Sequence, residues 1–179
     1  MLQMGMNAQD MKSAFEALDA KLQESLRLVM AGGAAMLLQY GHSQSTSDVD
    51  AAPQPYRDLR ELEPLFLEVA RELGLPSDWL NTHFTDFTYV IPEEFEARLR
   101  PCFKGLRLVI DCFGPEDIAV MKLMAARPKD RPHLRRLIRL PGFDFGVVEN
   151  HLQKLFESGL SKAEAGLELL DELRDEIKS

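Results

Sequence analysis

Two short segments carry residue types that could do chemistry together. Gly32-Gly33, set between Ala31 and Ala34-Ala35, ends an apolar run, and Thr46-Ser47-Asp48-Val49-Asp50 follows closely behind it. A diglycine step between a strand and a helix lets phosphate oxygens approach the backbone, and the exposed N–H groups of a helix start favour negative charge there. Aspartates at i and i+2 on a strand project to one face, roughly 6.6 Å apart along the chain. Carboxylates so placed can bind hard divalent cations jointly with substrate phosphates. Two such ions about 4 Å apart would stabilise both the attacking and the leaving oxygen of an in-line displacement. Alone, each signal is weak: Asp-x-Asp is common in surface turns, and Gly-Gly often only tightens one. Strand, diglycine, helix and then Thr-x-Asp-x-Asp in that order is far more specific.

The hydrophobic pattern predicts the elements that hold these segments. Met11, Phe15, Leu18 and Leu22 form one face of a first helix, with Asn7 or Asp10 as its cap. Residues 26–31 read as a strand, 34–39 as a helix opened by the diglycine, and 48–51 as a second strand that Pro53 and Pro55 end. A helical stripe runs from Leu59 to Leu73, kinked or started by Pro64, and Trp79-Leu80 sits in a single turn. Residues 84–90 read as a strand from their Thr, Phe, Tyr and Val content, 93–100 as a short helix, and 106–111 as an alternating strand. Pro115-Glu116-Asp117 opens a helix that Pro128 stops, and three more helical stripes follow, centred on Leu134-Leu137, Val148-Phe156 and Ala163-Ile177. This order predicts an α/β (α+β) fold, a mixed sheet with flanking helices and a C-terminal helical layer, divided as 1–114 and 115–179.

Gly32-Gly33 with Asp48-Val49-Asp50 on the next strand resembles the core signature of the nucleotidyltransferase superfamily. In particular it is similar to the short nucleotidyltransferase-like proteins of bacterial toxin–antitoxin and abortive-infection loci. Their later helix, Pro-Glu-Asp-Leu…Lys-Leu…Ala-x-Arg…Asp, reads here as Pro115-Glu116-Asp117-Ile118…Lys122-Leu123…Ala126-Arg127…Asp130. The resemblance implies transfer of a nucleoside monophosphate from a nucleoside triphosphate to an RNA or protein hydroxyl, with two magnesium ions. It further implies a cognate toxin or antitoxin as partner. Asp48 and Asp50 would then be catalytic metal ligands, with Gly32, Gly33, Lys122 and Arg127 facing the triphosphate. Two departures stand out. Gln44 occupies the place where the family often has arginine, and a third carboxylate has no motif of its own. Asp111 is the candidate for it and Asp86 the runner-up. A chain that has lost that third ligand would bind nucleotide, or a partner, without turnover.

Lys122 carries two readings, a snorkelling lysine at the edge of an apolar stripe or a cation that reaches the active-site carboxylates. Arg127, Lys129, Arg131, Arg135, Arg136 and Arg139 concentrate positive charge in an otherwise acidic chain. Such a run is usually a solvated face; beside a phosphate-transfer site it could hold the acceptor's own phosphates. Asp130 in its midst is expected to orient arginines. The net charge of −8 argues against a protein that coats nucleic acid over its whole surface. An apolar fraction of 45% and a charged fraction of 28% are those of an ordinary globular chain. No apolar run approaches a membrane span, and the first ten residues lack a secretory pattern, so a cytoplasmic location is expected. The four histidines and two cysteines show no zinc spacing, and neither a Walker loop nor a three-glycine dinucleotide fingerprint is present.

Overall fold

The short apolar runs become strands of one mixed sheet: β1 (Leu26–Met30), β2 (Val49–Pro53), β3 (Leu80–Asn81), β4 (Arg100–Lys104) and β5 (Leu108–Cys112). Their spatial order is β3-β2-β1-β5-β4, with β1 antiparallel to β2 and parallel to β5. The computed structural model describes residues 5–42, 45–82 and 88–178. It divides into a unit of Met1–Asp86 with Leu99–Phe113, which contains the sheet, and a helical unit of Phe87–Arg98 with Gly114–Ser179. The mixed α/β class with flanking and C-terminal helices is the one the pattern of elements predicts.

Side chains alternate across a strand, and residues opposite one another share a face. Leu28, Met30, Ala51, Leu108 and Ile110 therefore lie on one side, all fully buried. Helix α1 (Ala8–Lys21) contributes Met11, Ala14, Phe15 and Leu18 to the core, with Asn7 capping it and Asp10 closing a capping box. Phe15 meets Phe103 of β4 and Trp79, with ring centroids 5.6 and 6.4 Å away. Trp79 is fully buried and donates from Nε1 to the Phe66 carbonyl in α3 (Glu63–Leu73). Pro64 marks the true start of that helix, after a 3₁₀ turn at Arg60–Leu62. The opposite face of the sheet carries Arg27, Val29, Asp50 and Asp111. The parity of the strands thus separates a core face from a polar one.

Three expectations are corrected. The strand predicted at 84–90 falls partly on residues 84–87, outside those described, while Thr88–Val90 is a 3₁₀ turn with Tyr89 exposed. The turn predicted at Trp79-Leu80 continues into β3, whose two residues are too few to show alternation. The sequence pattern passes over β4, because Pro101 flanked by the charged Arg100 and Lys104 is the composition of an edge strand, and the register shifts between Pro101 and Phe103.

Asp19, near the end of α1, fastens the β4–β5 turn. Its carboxylate accepts from the backbone N–H groups of Leu106, Arg107 and Leu108 at 2.9, 2.7 and 2.6 Å. Burial pushes its pKa up, but these three donors outweigh that and hold it below the usual aspartate value. A depressed carboxylate stabilises the fold above its unfolded pKa of about 3.9 and loses that contribution as pH falls toward the folded value. Asp19→Asn is therefore expected to cost about 1–2 kcal/mol at pH 7. Urea titrations should show the gap between wild type and variant closing as pH is lowered below 4.

In the helical unit, α4 (Pro115–Ala125) is central, with every residue from Pro115 to Met124 buried. It packs against α5 (Arg131–Leu137), α6 (Phe145–Glu157) and α7 (Lys162–Lys178). Helix α7 buries Ala163, Gly166, Leu170 and Leu173 and leaves Ile177 exposed, so its inward stripe turns away from the predicted end. Among the described residues no helix is long and apolar enough to cross a membrane.

Candidate functional site

β1 delivers the chain to Ala31, whose N–H donates to the Asp50 carbonyl at 2.9 Å. The diglycine bend is thus locked edge-on to the strand that carries the aspartates. Gly32 adopts φ +65°, the left-handed region that side chains resist. A Cβ there would also lie 2.6 Å from Asp50 Oδ2. At Gly33 an added Cβ would lie 2.7 Å from Thr46 Oγ1. Both glycines are therefore needed because two polar side chains of the following segment rest directly on the bend. The helix that the bend opens, α2 (Gly32–Leu38), has seven residues and no side-chain N-cap.

Several contacts set the posture of the aspartate segment. The Thr46 hydroxyl donates to the Asp48 carbonyl at 3.1 Å, and Thr46 exchanges backbone bonds with Met6. Asp48, half-buried just before β2, accepts from Ser47 Oγ at 3.1 Å. Asp50, half-buried on β2, accepts at Oδ1 from Asn81 Nδ2 at 2.8 Å. Asn81 lies opposite Asp50 in the β2–β3 register, so both project from the same face. Asp48, Glu63, Asp78 and Asn81 line an open concavity of about 420 Å³, a volume in the range of small-ligand sites. Its charged lining is acidic. A bare polyphosphate would be repelled from it, whereas one carrying a divalent cation would be attracted.

The sequence-predicted residues divide by this geometry. Asp50 rests on Gly32 and Thr46 on Gly33, while Asp48 lines the concavity together with Asn81, the hydrogen-bond partner of Asp50. Asp111 does not join them. It projects from the same face but stands on β5, two strands from β2 and roughly 10 Å across the sheet. Its Oδ2 accepts from Arg27 Nε and Nη2 at 2.9 and 2.8 Å, which makes it half of a cross-strand ion pair. Asp86 and Gln44 lie outside the described residues. Among the described residues, no group of three His, Cys, Asp or Glu side chains is disposed to hold a metal ion. Asp48 and Asp50 fit a hard cation shared with phosphate oxygens, but they are two carboxylates and not three.

Lys122 and Arg127 belong to the helical unit, and both face Asp130. Lys122 Nζ lies 2.7 Å from Asp130 Oδ1 and Arg127 Nε 2.7 Å from Oδ2, with His133 Nδ1 at 3.7 Å. Lys122 is 5% exposed, so it is not a snorkelling residue at a water boundary. Asp130 orients these cations, as its place in the basic run predicts. Burial alone would raise its pKa, but His133, Lys122 and Arg127 together hold it well below the carboxylate range. The basic run is also partly neutralised: Arg131 and Arg135 make paired hydrogen bonds to Glu172 and Glu176 of α7. Sequence reasoning missed Asn81, Glu63 and Asp78. The first ends an unmarked two-residue strand, and the other two are acids with no spacing to mark them.

Residues 9–165 match the family described as "Nucleotidyltransferase of unknown function (DUF6036)", which spans most of the chain and both units. No curated protein and no solved structure matches the chain.

Proposed function

The chain belongs to this nucleotidyltransferase family, and from that premise we propose that it binds a nucleoside triphosphate with magnesium and transfers the nucleoside monophosphate to an RNA or protein hydroxyl. The observation that carries the proposal is the seating of the Asp50 carboxylate on Gly32, with Asp48 opening onto the acidic concavity. Asp48 and Asp50 would hold the magnesium, which when bound offsets the charge of the polyphosphate. Gly32 and Gly33, whose missing Cβ atoms make room for Asp50 and Thr46, would face the phosphates through their backbone. In the transfer, the acceptor oxygen forms a bond to the α-phosphorus and the α–β bridging P–O bond breaks. Pyrophosphate leaves with that electron pair, and the hydroxyl proton passes to water. The triphosphate roles of Lys122 and Arg127 rest on the resemblance alone, as does a cognate toxin or antitoxin partner.

Incubation with α-labelled nucleoside triphosphates, magnesium and bulk RNA or cell protein is expected to label an acceptor. Asp48→Ala should reduce that labelling about a hundredfold or more. Equal labelling by the variant would overturn the assignment.

A second reading, nucleotide binding without turnover, is favoured by the presence of only two suitable carboxylates among the described residues. It predicts saturable, magnesium-dependent binding by calorimetry and no release of pyrophosphate.

A further inference from the structure

Asn81 is the polar neighbour of Asp50 on the adjoining strand. It is the β3 residue opposite Asp50, it projects from the same face, and it lines the concavity onto which Asp48 opens. Its amide orientation follows from chemistry: Asp50 Oδ1, 2.8 Å away, is an acceptor, so the group facing it must be the NH₂ donor. That bond fixes one oxygen of Asp50 while the other lies against Gly32, so the carboxylate is held between a donor and a glycine that leaves it room.

An amide here differs from a carboxylate in two ways. It donates to Asp50 instead of repelling it, and it adds no negative charge. Two divalent cations about 4 Å apart repel strongly; beside the charge of the triphosphate, the pair Asp48 and Asp50 supplies two formal negative charges from the protein where a third carboxylate would supply one more. Asp111, another carboxylate on this face, stands two strands from Asp50 and is engaged by Arg27.

We propose that Asn81 is the positioning residue for Asp50 and that, as a neutral amide beside that carboxylate, it limits the site to one protein-bound divalent cation per triphosphate. This rests on the assignment of Asp48 and Asp50 as the metal-binding pair.

The test counts and characterises bound Mn²⁺ by electron paramagnetic resonance. It uses the full chain, an α,β-methylene nucleoside triphosphate kept below the protein concentration, and stepwise Mn²⁺. Wild type is expected to show a protein-bound ion with the six-line spectrum of an isolated centre. Asn81→Asp is expected to take up a second ion, visible as a spin-coupled pair, with its Mn²⁺ affinity raised about tenfold or more. Its melting temperature should be lowered without metal and recovered when Mn²⁺ is added, a linkage that a damaged fold would not show. Asn81→Ala should still bind one ion, several-fold more weakly, because Asp50 has lost its orienting donor. A spin-coupled pair in wild type would overturn the inference and leave the metal-binding pair standing. So would unchanged affinity in Asn81→Ala, which also decides the matter if Asn81→Asp does not fold. No protein-bound Mn²⁺ in wild type, with or without the analogue, would remove the assignment of Asp48 and Asp50 as well.

Discussion

Gly32→Ala is expected to cost about 2–4 kcal/mol of stability and to abolish measurable triphosphate binding, whereas Gly74→Ala should cost about 1–2 kcal/mol and leave binding intact. The comparison is controlled by backbone geometry. Gly32 and Gly74 have φ +65° and +67°, so an added methyl group meets the same left-handed penalty at both. At Gly74 nothing lies within 4 Å of the new Cβ; at Gly32 it lies 2.6 Å from Asp50 Oδ2. Asp50 cannot retreat without breaking its bond to Asn81 or pulling β2 from β1, because its own carbonyl accepts from Ala31. The excess cost of Gly32→Ala thus measures how firmly the carboxylate is held, and the loss of binding measures what it is held for. Chemical denaturation followed by the fluorescence of Trp79, with calorimetry of a magnesium–triphosphate analogue, reads both. Equal stability losses and retained binding in both variants would dissolve the link between the bend and the aspartate.

That link was legible in the sequence because it is local. Diglycine, Thr46, Asp48 and Asp50 lie within one strand–helix–strand passage, and the strand period alone requires the two aspartates to share a face. The helices were legible for a similar reason: apolar stripes and proline starts such as Pro64 and Pro115 are written over ten or more residues. The neighbours of Asp50 across the sheet were not legible, because they depend on pairing between strands distant in sequence. Asp111 ends a clear alternating strand and looks like the natural candidate until the order β2-β1-β5 sets it two strands away beside Arg27. Asn81 follows Trp79-Leu80 in a segment too short for any period, and only its pairing with Asp50 gives it meaning. Lys122 is a different case. A snorkelling lysine needs a wet side to its helix, but α4 is buried all round, so its apolar pattern carries no information about where a charged residue points.

Asp130→Ala is expected to be the most damaging single change in the helical unit, about 3–5 kcal/mol, because it strands the buried Lys122 ammonium without its counter-charge. Lys122→Met should cost less. Arg127 Nε, 2.7 Å from Asp130 in the wild type, leaves the carboxylate a cation, while the methionine stem should fill most of the lysine's volume. The two effects should not add: Lys122→Met with Asp130→Leu removes both buried charges and should recover to within about 1–2 kcal/mol of wild type. Acid unfolding supplies an independent sign. Asp130 is depressed by His133, Lys122 and Arg127, so its contribution is complete above pH ~4 and fades as pH falls below that. The double variant should lose this part of the acid sensitivity. It also separates the two roles of Lys122 that the sequence offers. A lysine whose charge is answered within its own unit by Asp130 has no need of a triphosphate, so the folded double variant is expected to bind the magnesium–triphosphate analogue as wild type does. A well-folded double variant that fails to bind would instead return Lys122 to the nucleotide.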